Sequence, residues 1–111
     1  MLKTYQPEKF VTEVNAFEIR DWVQENVEAG VSHLLIDFQN VGFINSSGLG
    51  ALATALKMAR EADARLALSS LNPQARMTLE IAGMDKAFEI FESPSDYAST
   101  IAAPSTAGQA L

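Results

Sequence analysis

The fold is decided by residues 34–62, which read LLIDFQNVGFINSSGLGALATALKMAREA. The segment opens with a nearly continuous apolar run at 34–38, as expected for a strand that helices cover on both faces. A turn-prone stretch follows at 39–45, and from about 48 to 62 the apolar residues recur with the helical period. A strand, a loop and a helix in this order predict a unit of a parallel or mixed sheet.

The rest of the chain continues the same alternation. Helical periodicity and two cap-plus-proline pairs, Asn72-Pro73 and Ser93-Pro94, predict three more helices. These three helices are predicted at about 14–29, from 72 to near 83, and from 93 onward. Short apolar runs predict strands at 66–68 and 87–91, and the opening residues Thr4, Tyr5, Phe10 and Val11 indicate one edge strand.

These elements predict an α/β fold: a small, mostly parallel or mixed sheet of about four strands packed with about four helices. The chain has 111 residues, 48% of them hydrophobic and 20% charged, which suits one domain with one core. That domain is expected to span 1–101. Residues 102–111 have no apolar period and are expected to form a flexible C-terminal tail.

Composition excludes several kinds of site. The chain has no cysteine and a single histidine, His33, so disulfides, cysteine-based metal sites and sites with two histidines are excluded. We expect neither a metal nor a cofactor. The net charge is −6 and the basic residues are scattered. Binding to nucleic acid needs clustered cations, so we expect no nucleic-acid partner. No apolar run approaches the roughly 20 residues of a membrane span, so we expect a cytoplasmic protein without membrane insertion.

The loop before the central helix is the most informative part of the sequence. It delivers two hydroxyl groups, those of Ser46 and Ser47, to a helix N-terminus. Unpaired amides and the positive end of the helix dipole favour an anion there. A purely structural role is equally open, because serine is among the preferred N-cap residues.

Two enzymatic interpretations fit this loop poorly. The run 48–53, GLGALA, resembles a dinucleotide-binding fingerprint, but it does not follow its strand directly and lacks the acidic residue expected about 20 positions later. A nucleophilic Ser46 would need a general base. His33 lies before the strand whose far end leads to the serine loop, so the two residues are expected at opposite ends of that strand. We therefore predict that the chain is not an enzyme.

The sequence resembles the STAS domain of bacterial anti-sigma factor antagonists, from about residue 14 to residue 97. Five stretches carry the resemblance: the strand at 34–38, the turn at 40–44, the motif Asn45-Ser46-Ser47-Gly48-Leu49-Gly50, the pair Asn72-Pro73, and the run Ile81-Ala82-Gly83-Met84. In the family an aspartate precedes the phosphate-accepting hydroxyl residue, and here Asn45 stands in its place. The family's first strands are poorly matched at 9–13.

The resemblance implies a phosphorylation-gated partner switch. The unphosphorylated domain would bind an anti-sigma factor that is itself a serine kinase, and a PP2C-type serine phosphatase would reverse the modification. Ser46 is the implied acceptor, with Ser47 as the second choice. The implied partner-binding residues are Phe43, Asn45, Ser46, Ser47 and Leu49.

An alternative role for the same fold is a non-catalytic scaffold subunit of a lipid-transport or stress-signalling assembly, in which the serine need not be modified. In either role the protein is expected to be a monomer or a weak dimer.

Overall fold

A computed structural model describes the backbone of residues 1–109 and the side chains of residues 1–101. The strands are β1 (Leu2–Tyr5), β2 (Lys9–Val11), β3 (His33–Asp37), β4 (Val41–Ile44), β5 (Arg65–Ser69) and β6 (Glu89–Phe91). The helices are α1 (Ala16–Glu28), α2 (Ser46–Glu61), α3 (Pro73–Ile81) and α4 (Pro94–Gln109). The predicted alternation of strands with four helices is confirmed over this part of the chain.

Four strands form one parallel sheet in the order β1-β3-β5-β6. Successive side chains of β3 point to opposite faces of the sheet. Leu34 and Ile36 join the main core, whereas Leu35 packs with Tyr97 of α4 in a second cluster. Both faces of β3 are therefore covered, which explains its continuous apolar run and confirms the predicted mostly parallel sheet.

Strands β2 and β4 form a separate two-stranded parallel sheet, in which Val11 is opposite Ile44. This pairing corrects two predictions: the stretch at 39–45 contains a strand, and the opening residues form two strands in different sheets instead of one edge strand. Local composition carries only a weak signal for β4: Val41, Phe43 and Ile44 favour a strand, but the segment is short, includes Gly42 and pairs with a strand that is distant in the sequence.

Strands β2 and β4 each lead into a helix, α1 and α2 respectively. Because the two strands are parallel, both helices start at the same end of the domain, and they pack along each other. Helix α1 buries Ile19 and Val23, and α2 buries an alanine-rich face that includes Leu52. The first turns of α1 and α2 are therefore neighbours.

The helix that the sequence predicts from residue 93 onward is α4. Helix α4 runs as far as Gln109, so its backbone covers most of the segment expected to be a tail. The side chains from residue 102 onward and all of residues 110–111 lie outside the described part, and the flexibility of this segment remains a prediction. In the part that is described, no helix has both the length and the apolar character needed to cross a membrane.

Candidate functional site

The predicted site residues lie together at the start of α2. Asn45 follows strand β4 directly, and the helix begins at Ser46. Ser46 and Ser47 are exposed, and Leu49 is half-buried. Phe43, near the end of β4, keeps 49% of its surface exposed. The site is thus an accessible surface and not a cleft.

Asn45 is the N-cap of α2. Its backbone is extended (φ −120°, ψ −176°), and its Oδ1 accepts a hydrogen bond from the Gly48 amide at 3.0 Å. This finding corrects the structural alternative in which Ser46 or Ser47 caps the helix. Neither serine hydroxyl is therefore needed to satisfy the first turn.

Gly48 and Gly50 have different roles in the motif. A Cβ on Gly48 would lie 2.0 Å from the Val11 carbonyl oxygen, whereas a Cβ on Gly50 would meet nothing within 4 Å. The backbone amide of Asn45 donates a hydrogen bond to the same Val11 oxygen, at 3.3 Å. Gly48 is therefore required for close packing of α2 on β2. Gly50 lies on the exposed face of the helix, where a side chain would fit.

Glu13, in the segment between β2 and α1, is part of the site. The Asn45 Nδ2 donates a hydrogen bond to Glu13 Oε1 at 2.9 Å. This hydrogen bond lowers the pKa of the Glu13 carboxyl below its ordinary value, so the group is ionised at neutral pH. The site therefore carries a negative charge beside Ser46 even before any modification.

The first turn of α2 is suited to bind an anion. Helix geometry leaves its first amides without acceptors inside the helix. The Gly48 amide is satisfied by the Asn45 side chain, and the Leu49 amide by the Asn45 carbonyl at 2.9 Å. The amides of Ser46 and Ser47 remain at the positive end of the helix dipole, where they stabilise negative charge on either hydroxyl.

The side chains of Gln74, in α3, and of its N-cap residue Asn72 brace strand β4. Gln74 Oε1 accepts from the Ile44 amide at 3.1 Å and Gln74 Nε2 donates to the Ile44 carbonyl at 3.0 Å, as a neighbouring strand would. Asn72 Nδ2 donates to the carbonyls of Val41 and Gly42. The residues that lead into the serine loop are therefore fixed on both edges, by β2 and by α3.

Replacing Gln74 with alanine is expected to lower the free energy of unfolding by about 2 kcal/mol, because it leaves two backbone groups of the buried Ile44 without partners. Gln24→Ala is the matched control. Gln24 is also helical, but it bonds only Glu28 on the exposed face of α1, and its loss should cost less than about 0.5 kcal/mol. Urea unfolding of both variants measures the difference, and equal stabilities would contradict the bracing role.

Sequence reasoning missed two exposed apolar residues next to the site. Val14, which precedes α1, and Phe17, in the first turn of α1, keep 71% and 69% of their surfaces exposed. The guanidinium of Arg20 stacks over the Phe17 ring at 4.4 Å from its centroid. The helical period could have identified Phe17, since it places this residue away from the buried Ile19 and Val23.

Asp37 has a structural role, and His33 lies away from the serine loop. The buried Asp37 carboxylate accepts from Ser69 Oγ at 2.9 Å and from Gln6 Nε2 at 2.8 Å, so it is satisfied within the fold. His33 is the first residue of β3, at the end of that strand opposite to the chain segment leading to the serine loop. Within the described residues, acidic, histidine and cysteine side chains form no group of three that could hold a metal ion.

Comparison with known proteins places this geometry in a family. A sequence model of the STAS domain matches residues 4–97 of the chain. Among solved structures, TM1081 of Thermotoga maritima is 22% identical with a TM-score of 0.82, covering 89% of this chain and 86% of that one.

Two further structures are similar. The anti-sigma factor antagonist SpoIIAA of Bacillus, in its unphosphorylated form, is 14% identical with a TM-score of 0.77, covering 90% of this chain and 87% of that one. SpoIIAA has also been solved in a phosphorylated form. The STAS domain of a SulP transporter from Vibrio cholerae is 16% identical with a TM-score of 0.75, covering 96% of this chain and 84% of that one. At these identities the structures establish a shared fold.

Proposed function

The chain belongs to the STAS domain family, and on that basis we propose that it is an anti-sigma factor antagonist. It binds an anti-sigma factor with serine kinase activity while Ser46 is unphosphorylated, and a PP2C-type phosphatase restores this form after phosphorylation. The domain acts by binding and not by catalysis. One observation carries the proposal: the Ser46 residue is exposed at the start of α2, and Asn45, not Ser46, caps the helix.

Phosphate on Ser46 is compatible with the folded domain. It adds about −1.5 to −2 charges at neutral pH. The amides of Ser46 and Ser47 and the helix dipole favour negative charge at this position. The effect of the modification therefore falls on the partner and not on the fold.

The proposed contact surface surrounds Ser46. Phe43, Val14 and Phe17 offer exposed apolar area to a partner, and Leu49 adds a half-buried side chain. A partner that excludes water from this surface would have to bury the phosphate without a matching cation, which costs several kcal/mol. Since each 1.4 kcal/mol corresponds to a factor of ten in affinity, phosphorylation can end binding without a change of shape.

A second candidate is a scaffold role in a lipid-transport or stress-signalling assembly. The likeness to the STAS domain of a SulP transporter is the observation in its favour. In that role the partner would be a transporter or assembly subunit, and the charge on Ser46 would not control the association.

An affinity pull-down separates the two candidates. Unmodified protein and Ser46→Asp are immobilised and exposed to lysate of the source cells, and captured proteins are identified by mass spectrometry. An anti-sigma factor kinase captured only by the unmodified protein supports the proposed function. A transporter subunit captured equally by both proteins supports the scaffold role and contradicts the switch.

Incubation with the captured kinase and ATP is expected to place one phosphate on Ser46. The reason is that Ser46 is the first exposed hydroxyl after the cap residue. Tandem mass spectrometry locates the phosphate, and Ser46→Ala serves as the control that should remain unmodified. Phosphate found only on Ser47, or on no residue, would contradict the assignment.

A further inference from the structure

We propose that Glu13 is a positioning residue of the Ser46 site and that phosphate on Ser46 displaces it. In the unmodified protein the Glu13 carboxylate holds the Asn45 side-chain amide in the orientation that caps α2. After phosphorylation the Asn45 Nδ2 donates to the phosphate instead, while Oδ1 keeps the Gly48 amide, and Glu13 is released. The inference rests on the proposed function, since it concerns modification of Ser46.

The chemistry of an amide explains why Glu13 fixes the orientation. Asn45 has one accepting oxygen and one donating nitrogen. The oxygen faces the Gly48 amide at 3.0 Å, and the nitrogen faces the Glu13 carboxylate at 2.9 Å. Turning the group over would place a donor against the Gly48 N–H and an oxygen against the carboxylate. Both contacts would be repulsive, so Glu13 selects the capping orientation.

The segment that carries Glu13 is held in place by its neighbours. Asn15 Oδ1 accepts from the Thr12 amide at 3.0 Å, and Asn15 Nδ2 donates to the Phe10 carbonyl at 2.7 Å. Thr12 Oγ1 accepts from the Val14 amide at 3.1 Å. These bonds flank Glu13 on both sides, so its backbone is fixed while its side chain, on the surface, is free to leave Asn45.

Phosphate on Ser46 changes the balance at this contact. Ser46 follows Asn45 in the chain, so its phosphate and the Glu13 carboxylate would compete for the same donor, the Asn45 Nδ2. The phosphate carries more charge and more acceptor oxygens than the carboxylate. It also repels the ionised Glu13, whose pKa is lowered mainly by the hydrogen bond from Asn45. Both effects favour release of Glu13.

Release of Glu13 is a second effect of phosphorylation, in addition to the charge on Ser46. Glu13 precedes Val14, one of the exposed apolar residues of the proposed contact surface. Release of the carboxylate changes the charge distribution at the start of α1 as well as at Ser46. A partner that contacts both helices would therefore sense the modification at two places.

The test uses phosphoserine placed at position 46 during synthesis of the full chain, so that neither a kinase nor a partner is needed. NMR follows the titration of the Glu13 side-chain carboxyl carbon and the resonances of the Asn45 side-chain amide. We expect the pKa of Glu13 to rise on phosphorylation, because the carboxylate loses its donor and gains a like-charged neighbour. The Asn45 amide resonances should shift at the same time. An unchanged Glu13 titration and unchanged Asn45 resonances would overturn the proposal.

Exchanging the amide of Asn45 and the carboxylate of Glu13 provides an independent check that the two side chains act as a pair. Asn45→Asp keeps an acceptor for the Gly48 amide but opposes two carboxylates, and should lower the thermal midpoint. Adding Glu13→Gln restores one donor and one acceptor, and should recover most of that loss. If the second substitution recovers nothing, the side chains do not act as a pair. If the NMR titration or the double substitution fails, Glu13 is not a positioning residue, but Ser46 can still act as a switch through its charge alone. If the pull-down captures no partner, the proposed function fails, but both measurements on Glu13 can still be made and interpreted.

Discussion

Ser46→Asp is expected to weaken binding to the proposed anti-sigma factor partner at least 100-fold, while Ser46→Ala should bind as well as the unmodified protein. The aspartate places a carboxylate at the centre of the proposed contact, where a partner must exclude water, and burying an unpaired charge is costly. Alanine leaves the surface uncharged. Calorimetric titration of the two variants with the captured partner measures the difference.

Two controls distinguish this electrostatic effect from loss of folding. Ser95→Asp makes the same change at an exposed serine in the first turn of a different helix, α4, and should bind normally. Thermal melts of the Ser46 variants should be similar, because Asn45 provides the cap and only the helix dipole favours the aspartate, by about 0.3–1 kcal/mol. If Ser46→Asp binds as tightly as Ser46→Ala, then Ser46 lies outside the interface and the proposed switch is wrong.

Gly48→Ala is expected to lower the free energy of unfolding by about 3 kcal/mol, the upper end of the usual cost of overpacking. The added Cβ would lie 2.0 Å from the Val11 carbonyl oxygen and 2.7 Å from the Val11 carbonyl carbon. Both atoms belong to the backbone, so no side-chain rotation can relieve the clash. The start of α2 would have to move away from β2.

Gly50→Ala is the matched control for this prediction. The position is exposed, lies in the same turn region of α2, and leaves open space for a Cβ. Alanine is the better helix former, so this variant should be more stable by about 0.5–1 kcal/mol. Chemical unfolding of both variants should give changes of opposite sign. Similar changes in both would show that the approach of α2 to Val11 does not constrain the fold.

Strands β3, β5 and β6 of the main sheet and the four helices could be predicted because their signals are local. The apolar run of β3 and the helical period of α2 each indicate one element without reference to the rest of the chain. Strand β4 could not be predicted in this way. It is short, it includes Gly42, and it is stabilised by β2 and by the side chains of Asn72 and Gln74, which are distant in the sequence.

The same distinction applies to the site. The motif at 45–50 assigns the candidate site to the start of α2, but Asn45, Ser46 and Ser47 are all good cap residues and local sequence cannot choose among them. The choice depends on Val11 and Glu13, which bond the backbone and side chain of Asn45. Glu13 carries no recognisable pattern of its own, so only the structure could add it to the site.

The cap of α2 has a consequence for how long the protein persists in the cell. Proteases act mainly on unfolded chains, so a change in stability changes abundance. Because Asn45 holds the helix start, the proposed addition or removal of phosphate on the neighbouring Ser46 would leave the unfolded population nearly constant. Both forms should then be degraded at the same rate. The signal would be carried by the fraction of molecules able to bind, at a constant total concentration, and could be reversed without new synthesis.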